Sequence, residues 1–250
     1  MNKIALVTGA SRGLGRAIAL RLAKDGMTVV IHYSQNQTAA DEVVSEIKSL
    51  GSKAFAVQAD ISKTSSIASM FEEIDVQLET ITGECKFDVL VNNAGTAIAK
   101  PVNDWTEEDF DYQFALNVKG LFFVTQFAIP RLRNNSRIIN LGTGLTRFSY
   151  PIYAVYAASK GAVDVLSQHL AVLLGEREIT VNTIAPGAID TDLNASWLRS
   201  EEGQQQTLAT SAIKRIGMPD DIADVVSFLA SEDSRWVTGQ RIEASGGAHL

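Results

Sequence analysis

Short runs of apolar residues, rich in valine and isoleucine, recur along the chain and constrain its fold more than any other feature. They lie at 3–8, 27–33, 53–58, 87–92, 136–142, 179–185 and 240–244. The runs lack the alternation of polar and apolar residues that is typical of a strand with one face in water. We therefore predict seven strands that are buried on both faces.

Longer amphipathic segments separate these runs and have the length of helices. They cover 14–25, 38–50, 64–82, 107–133, 153–175 and 220–230. Strands that alternate with helices through right-handed crossovers form a doubly wound parallel sheet, which binds ligands beyond the carboxyl ends of its strands. The predicted fold class is therefore α/β, with a single Rossmann-type domain over residues 1–250 and about seven parallel strands flanked by helices.

Composition narrows the possible partners. The 250 residues carry a formal net charge of −7, and clustered Lys and Arg are not evident, so we expect neither nucleic acid nor a membrane as a partner. Cys85 is the only cysteine, which excludes an intrachain disulfide and a cysteine-built metal site and favours a reducing compartment. The N-terminus lacks a cleavable signal pattern, and no apolar run approaches a membrane span. The default predictions are a cytoplasmic location and no metal.

A glycine-rich turn follows the first predicted strand. The segment TGASRGLG, residues 8–15, brings three glycines to the start of the first helix. Small residues let the backbone approach a ligand, and a helix N-terminus offers free N–H groups and a positive dipole to a pyrophosphate. Such turns also arise for tight packing, and the spacing differs from the G-x-G-x-x-G fingerprint. The position in the first βα unit favours a bound dinucleotide.

The residues after the second strand bear on the choice of dinucleotide. NAD-binding sites usually carry an acidic residue about 20 positions beyond the glycine turn, but residues 29–40 contain neither Asp nor Glu. Arg12, Ser34, Gln35 and Asn36 could instead provide the charge and the donors that a 2′-phosphate requires. The alternative for Arg12 is a solvated loop residue. We predict NADP(H) as the cofactor.

Three tyrosines lie within the ten residues before Lys160, and their spacing from the lysine distinguishes which of them can contact it. In a helix that starts near residue 152, Tyr156 and Lys160 lie on one face, whereas Tyr153 is two turns away from the lysine. Tyr150 precedes Pro151 and lies outside the helix. A nearby ammonium lowers the pKa of a phenol towards the range useful for proton transfer. Tyr156 is the candidate acid, although a Tyr–Lys pair at this spacing is also common on surface helices.

The ordered set of motifs closely resembles the short-chain dehydrogenase/reductase family. It consists of TGASRGLG at 8–15, NNAG at 92–95, Asn117 in LNVKG, YAASK at 156–160, and APG at 185–187 followed by Thr191. The resemblance covers the whole chain, and the bacterial β-ketoacyl-carrier-protein reductases are the most similar subfamily. It implies an NADP(H)-dependent oxidoreductase that transfers a hydride between nicotinamide and a carbonyl or secondary alcohol, with ketone reduction as the expected direction. The assembly that it implies is a homotetramer.

The resemblance also implies residue roles. Tyr156 would donate a proton to the carbonyl, Lys160 would lower its pKa and bind the nicotinamide ribose, and Asn117 would hold a water in a proton relay. The implied cofactor-binding residues are Gly9, Ser11, Arg12, Gly13, Leu14, Gly15, Ser34, Asp60, Ile61, Asn92, Ala94, Gly95, Tyr156, Lys160, Pro186, Gly187, Ile189 and Thr191. Three of these residues have structural alternatives, because Asn117 could be a helix-interior amide, Asp60 a helix cap, and Asn92 a purely structural side chain.

One position departs from the family pattern. The family usually has a serine thirteen residues before the catalytic tyrosine, and here that position holds Thr143. The hydroxyls of Thr146 and Ser149 are out of register. Thr143 is therefore the fourth predicted catalytic residue, a donor that polarises the carbonyl, although its methyl group stiffens χ1 and could narrow the site.

The segment 188–216 is the candidate substrate lid, with a plain surface excursion as the alternative. Leu193, Trp197 and Leu198 in this segment, with Phe148, Tyr150 and Tyr153, suggest an apolar or aromatic wall, but each could belong to the core. A ketoacyl thioester, a steroid, a sugar or a xenobiotic ketone all remain open as the small-molecule carbonyl substrate. The alternative function is a catalytically weak dinucleotide-binding regulator or scaffold on the same fold.

Overall fold

The computed structural model describes residues 3–192 and 194–250, and the strands within them form one seven-stranded sheet. The strands are β1 (Ile4–Val7), β2 (Thr28–Tyr33), β3 (Ala54–Gln58), β4 (Phe87–Asn92), β5 (Leu132–Leu141), β6 (Thr180–Pro186) and β7 (Arg241–Ala244). Their order is β3-β2-β1-β4-β5-β6-β7, and every pairing is parallel. The predicted fold class is confirmed, and the reversal of strand order between β1 and β4 creates the crevice in which such sheets bind ligands.

The helices occupy the intervals between the strands, close to the predicted positions. They are α1 (Gly13–Lys24), α2 (Gln37–Ser49), α3 (Thr64–Thr82), α4 (Glu107–Phe114), α5 (Leu121–Ala128), α6 (Ala154–Leu174), α7 (Ala195–Leu198), α8 (Glu201–Thr210) and α9 (Pro219–Ala230). The short helices α7 and α8 lie inside the candidate lid, which the sequence had described only as a polar segment.

The sheet carries an apolar core on each face. One core packs β-strand residues such as Val7 and Ile31 against α1, α2 and α9. The other packs residues such as Leu6 and Leu90 against α3, α5 and α6. Alternate strand residues point to opposite faces, so a strand that is covered on both faces must be apolar throughout. This explains the unbroken apolar runs in the sequence.

The largest departure from the prediction lies between α4 and β5. The helix predicted over 107–133 ends at Ala128 and contains a π-helical turn at Ala115–Gly120. Strand β5 begins at Leu132 rather than at 136, because Leu132 is buried and pairs with Phe87. The polar residues that follow Leu132 interrupt the apolar run, and the pairing register shifts between Phe87 and Val89. The strand start was therefore not visible as a hydrophobic pattern.

Candidate active site

A cavity of about 1330 Å³ opens at the carboxyl ends of the strands. Eighteen of the predicted site residues line it: Gly9, Ser11, Arg12, Gly13, Leu14, Gly15, Ser34, Asp60, Ile61, Ala94, Gly95, Thr143, Tyr156, Lys160, Pro186, Gly187, Ile189 and Thr191. They follow six different strands, so the parallel sheet gathers residues that are far apart in sequence. The two predicted residues outside the lining are Asn92 and Asn117.

Asn92 does not face the cavity, and its predicted cofactor role is corrected here. Its Nδ2 donates to Thr125 Oγ1 at 3.0 Å and to Asn140 Oδ1 at 2.8 Å in the buried interior. The next residue, Asn93, lines the cavity and donates through Nδ2 to the backbone oxygens of Thr8 and Gly9 at 2.9 and 3.1 Å. Successive side chains of a strand point to opposite sides, which places Asn93 beside the glycine turn.

The glycine turn has the shape required for a phosphate group. Gly9 has φ +64°, and a Cβ there would lie 3.0 Å from Ala94 Cα, so larger residues would strain the turn. Arg12 precedes α1 without capping it through its side chain, and the first turn of α1 contains no acidic residue. The first N–H groups of a helix have no partner within that helix, so those of α1 can bind an anion. These residues fit a dinucleotide pyrophosphate.

The polar residues after β1 and β2 that line the cavity divide into two roles. Arg12 and Ser34 are exposed side chains that line the cavity. Asn36 also lines the cavity, but its Oδ1 accepts the Ala39 N–H at 3.0 Å and caps α2. No acidic residue follows β2 before α2, so a 2′-phosphate would meet no like charge from that segment.

Asp60 lines the cavity and does not cap α3. Its Oδ1 accepts the Ser62 N–H at 3.1 Å and the Ser62 hydroxyl at 2.6 Å, whereas the residue before α3 is Lys63. The hydrogen bond from Ser62 is the main reason that the pKa of Asp60 lies below its usual value. Asp60 is therefore an acceptor that orders its own loop at the cavity edge. The family resemblance implies that Asp60 also accepts from the adenine amino group of the cofactor, and this contact stays a prediction.

Tyr156 and Lys160 both line the cavity, on the first turns of α6. Partial burial raises the pKa of Tyr156 to about 12, which outweighs the opposite effect of a hydrogen bond with the Thr143 side chain. Burial lowers the pKa of Lys160 to about 8, and its Nζ donates to Leu141 O at 2.7 Å. The net direction for Tyr156 is therefore upward, because loss of hydration dominates, and the lowering of its pKa by Lys160 stays a prediction.

Thr143 stands beside Tyr156, as its register predicted. It is 7% exposed and precedes the short 3₁₀ turn Gly144–Thr146 at the end of β5. Its Oγ1 accepts the Leu145 N–H at 3.3 Å, which leaves the hydroxyl proton free to donate. The hydroxyl therefore serves the backbone as an acceptor and can still donate to a ligand in the cavity.

Asn117 lies in the π-helical turn, outside the cavity lining, and its side chain holds neighbouring segments together by hydrogen bonds. Its Oδ1 accepts the Thr96 N–H at 2.9 Å, and its Nδ2 donates to Thr96 O at 2.8 Å and to Ser159 Oγ at 3.0 Å. A Cβ on Gly95 would lie 3.0 Å from Asn117 Oδ1 and 3.4 Å from Lys160 Nζ. The side chain of Asn117 thus joins the loop after β4 to α6 beside the lysine, and the water that it would hold stays a prediction.

Comparison with known proteins identifies the family. Residues 9–249 match the family described as Enoyl-(Acyl carrier protein) reductase. The Hydroxynaphthalene reductase-like protein Arp2 of Metarhizium majus is 41% identical over 260 residues, which cover 99% of this chain and 95% of the relative. This chain belongs to the short-chain dehydrogenase/reductase family. The resemblance noted in the sequence is thereby confirmed.

Solved structures of similar short-chain dehydrogenase/reductase chains agree with the fold. The angucycline C-6 ketoreductase LanV with bound NADP has a TM-score of 0.95 and 42% identity, with 99% of this chain and 96% of that chain covered. A short-chain dehydrogenase from Burkholderia cenocepacia J2315 in complex with NADP has a TM-score of 0.91 and 37% identity, with coverage of 100% and 98%.

Sequence reasoning missed His32 of this short-chain dehydrogenase/reductase. The side chain is 1% exposed at the end of β2 and reaches the cavity lining. Its Nδ1 accepts the Gly9 N–H at 3.1 Å, which assigns the ring proton to Nε2, 3.1 Å from Ala59 O. Burial lowers the pKa of His32 from 6.5 to about 4, so the ring is neutral at pH 7. A lone histidine within an apolar run carries no sequence signal for this contact.

The aromatic wall of the cavity also includes a residue that the sequence did not indicate. Phe148, Tyr150, Tyr153 and Trp197 line the cavity as predicted, together with Leu198. His249, the second-to-last residue, joins them, with its ring centroid 4.2 Å from that of Phe148 and its Nε2 3.3 Å from Tyr150 Oη. Leu193 lies outside the described residues.

The candidate lid is attached to the C-terminal segment in this short-chain dehydrogenase/reductase. Ser211 forms an antiparallel bridge with Ala248, and the His249 N–H donates to Thr210 O at 2.8 Å. At its other end, Ile189 forms a parallel bridge with Gly217. The lid therefore has two fixed ends around α7 and α8, and its opening stays a prediction.

Within the residues that the structure describes, no helix combines the length and the apolar character needed to span a bilayer. Among the same residues, no group of three or more His, Cys, Asp and Glu side chains is arranged to hold a metal ion.

Proposed function

We propose that this chain reduces a ketone with NADPH, with Tyr156 as the proton donor and Thr143 as the hydrogen-bond donor to the carbonyl oxygen. The observation that supports this proposal most is that Thr143, Tyr156 and Lys160 line the same cavity as the glycine turn. That turn leads into α1, whose N-terminus has no side-chain cap. The predicted enzyme class and cofactor are confirmed by relatives, since LanV is a ketoreductase solved with bound NADP and the Burkholderia cenocepacia dehydrogenase was solved in complex with NADP.

The protein residues divide the chemistry between them. When bound in this cavity, NADPH would supply the hydride. Tyr156 retains its proton at neutral pH, because its pKa is about 12, and can deliver it to the carbonyl oxygen as negative charge develops there. Thr143 stabilises the same oxygen with its free hydroxyl proton. Lys160, with a pKa of about 8, is mostly charged at pH 7 and stabilises the phenolate that remains.

The remaining predicted cofactor contacts belong to this proposal. The N–H groups at the start of α1 would hold the pyrophosphate, and Arg12 with Ser34 would hold the 2′-phosphate. Ile189 and Thr191, which also line the cavity, would hold the carboxamide and determine which face of the nicotinamide points at the substrate.

We further propose that the substrate is a planar aromatic ketone rather than a linear acyl thioester. Phe148, Tyr150, Tyr153 and Trp197 line the cavity, and aromatic rings stack favourably on other aromatic rings. Relatives support this choice, since one is named a hydroxynaphthalene reductase-like protein and LanV has been solved with NADP and rabelomycin. We also propose a cytoplasmic location, which is the default prediction from the sequence.

The test is NADPH oxidation with matched ketones in the parent protein and in Tyr156→Phe. A fused bicyclic aryl ketone should be reduced with a higher kcat/KM than acetoacetyl thioester. Tyr156→Phe should bind NADPH as the parent does but lose at least about 10²-fold in turnover, because the positioned acid is gone. Cofactor binding without turnover of any ketone by the parent would favour the regulator or scaffold instead.

A further inference from the structure

Arg241 connects strand β7 to the turn that carries the catalytic threonine. Its Nη2 donates to Thr143 O at 2.9 Å, and its Nε donates to Thr146 Oγ1 at 2.9 Å. The same Nε lies 3.2 Å from Asp164 Oδ2 on α6. One guanidinium thus contacts both ends of the segment 143–146 and the helix that bears Tyr156 and Lys160.

Asp164 completes this contact from the side of α6. It lies one helical turn after Lys160, and its Oδ2 accepts the Thr146 hydroxyl at 3.0 Å. Thr146 Oγ1 also lies 3.3 Å from Thr143 O. The Asp164 side chain is 13% exposed and that of Arg241 22%, so the pair is shielded from water by the elements it joins.

The neighbouring charges hold Arg241 in place. Glu243 Oε1 lies 3.2 Å from both Nη1 and Nη2 of Arg241, and it also accepts from Arg147 Nε at 3.0 Å. Acidic and basic side chains therefore alternate in one connected group, in the order Asp164, Arg241, Glu243 and Arg147. A planar guanidinium with several fixed donors is suited to bind two carboxylates and a backbone carbonyl at once, which a lysine could not do.

We propose that Arg241 and Asp164 are positioning residues that hold the Thr143 turn in register with α6. The inference rests on the proposed ketone reduction. Thr143 belongs to a connecting segment, whereas Tyr156 and Lys160 belong to a long helix, and the two donors must meet at the same carbonyl oxygen. The hydroxyl of Thr143 accepts one long hydrogen bond of 3.3 Å within its own turn, so the external contacts determine its placement. A shift of about 1 Å in such a group can reduce turnover 10²-fold.

The direct test is Arg241→Met compared with Arg131→Met. Arg131 is a matched control, because it forms a two-point ion pair with Asp75 at 2.7 and 2.6 Å, is 20% exposed, and does not line the cavity. We expect Arg241→Met to lower kcat by about 10- to 100-fold, with the NADPH dissociation constant within about threefold of the parent value. Arg131→Met should lose comparable stability but keep its kcat.

A double-mutant cycle separates positioning from a general structural effect. In the Thr143→Val background the hydroxyl is already absent, so adding Arg241→Met should lower kcat by less than about threefold. Amide hydrogen exchange provides a readout that needs no turnover, and exchange in residues 143–149 should be faster in Arg241→Met but unchanged in Arg131→Met. Multiplicative losses in the cycle, or a kcat within twofold of the parent in Arg241→Met, would overturn the proposal.

Asp164→Asn makes the same test if Arg241→Met does not fold, with Asp75→Asn as its control. If the parent protein reduces no ketone, the proposed function is refuted. The hydrogen-exchange measurement then still tests whether Arg241 holds the Thr143 turn in place. An active parent whose Arg241→Met and Asp164→Asn variants behave like their controls would refute the positioning role alone.

Discussion

His32 Nδ1 accepts the backbone N–H of Gly9 at 3.1 Å, so a buried imidazole joins the end of β2 to the glycine turn after β1. The contact requires a neutral ring, because a protonated Nδ1 has no lone pair to accept with. The pKa of about 4, lowered from 6.5 by burial, matches this requirement. The integrity of the turn is therefore linked to pH.

The free energy of unfolding should fall as the pH is lowered from 6.5 to about 4. Between these values the unfolded chain binds a proton on His32 that the folded chain does not, so acid favours unfolding. The slope of the unfolding free energy against pH reaches about 1.4 kcal/mol per pH unit, for a total on the order of 3 kcal/mol.

Denaturant titrations should show this contribution in the parent and not in His32→Asn, which keeps an acceptor for Gly9. The exposed residue His169 is the control, and its variant His169→Asn should keep the parental slope. Identical pH profiles for His32→Asn and the parent would contradict the prediction.

Thr143→Val should lower turnover by roughly 10²–10³-fold, the loss observed when one oxyanion donor is removed. The substitution preserves shape but deletes the only proton that this side chain can donate. Thr143→Ser retains the hydroxyl and should remain active. Steady-state kcat with the best ketone checks both variants, and a Thr143→Val enzyme with ordinary ketone kinetics would assign the hydroxyl to the backbone alone.

The parent should prefer NADPH to NADH, and Arg12→Ala should reduce that preference by up to about 1–3 kcal/mol, the range for charge-assisted hydrogen bonds. Arg12 is exposed and lines the cavity, where a 2′-phosphate would otherwise meet water. Arg16, in the first turn of the helix that follows Arg12, pairs with Glu46 and does not line the cavity, so Arg16→Ala serves as the control. Titrations of both cofactors measure the preference, and equal binding by the parent would refute it.

A homotetramer is the expected assembly, and light scattering at micromolar concentration should give about four times the 27.0 kDa mass of one chain. The family-implied assembly would pack α4, α5 and α6 against symmetry mates, and apolar side chains are exposed on these helices, among them Phe110 (44%), Phe122 (40%) and Val165 (55%). Burying them between subunits would remove apolar surface from water. Phe122→Asp should shift the mass towards smaller species, and a monomeric parent would contradict the expectation.

The fold and the centre of the candidate site could be predicted from the sequence because their signals are local. Apolar runs and amphipathic segments located every strand except β5, and most helices, within one or two residues. The i, i+4 spacing selected Tyr156 over Tyr153, and the resemblance to the family, whose serine lies thirteen residues before its tyrosine, selected Thr143. The sequence was least informative about polar residues whose neighbours do not indicate where the side chain points. Asn92 and Asn93 are adjacent and chemically identical, and only the direction in which each leaves β4 separates the buried side chain from the one at the cavity.

The sequence by itself determined the order of the elements, the glycine turn and the pair of Tyr156 and Lys160, since each depends on neighbours within one strand, one turn or one helix. Only the tertiary structure decided the contacts between distant segments. His32 meets Gly9 because β2 lies beside β1, and Arg241 meets Thr143 through the packing of β7, β6 and β5. Burial also raises the pKa of Tyr156, because hydration is lost through surrounding elements that no local spacing reveals.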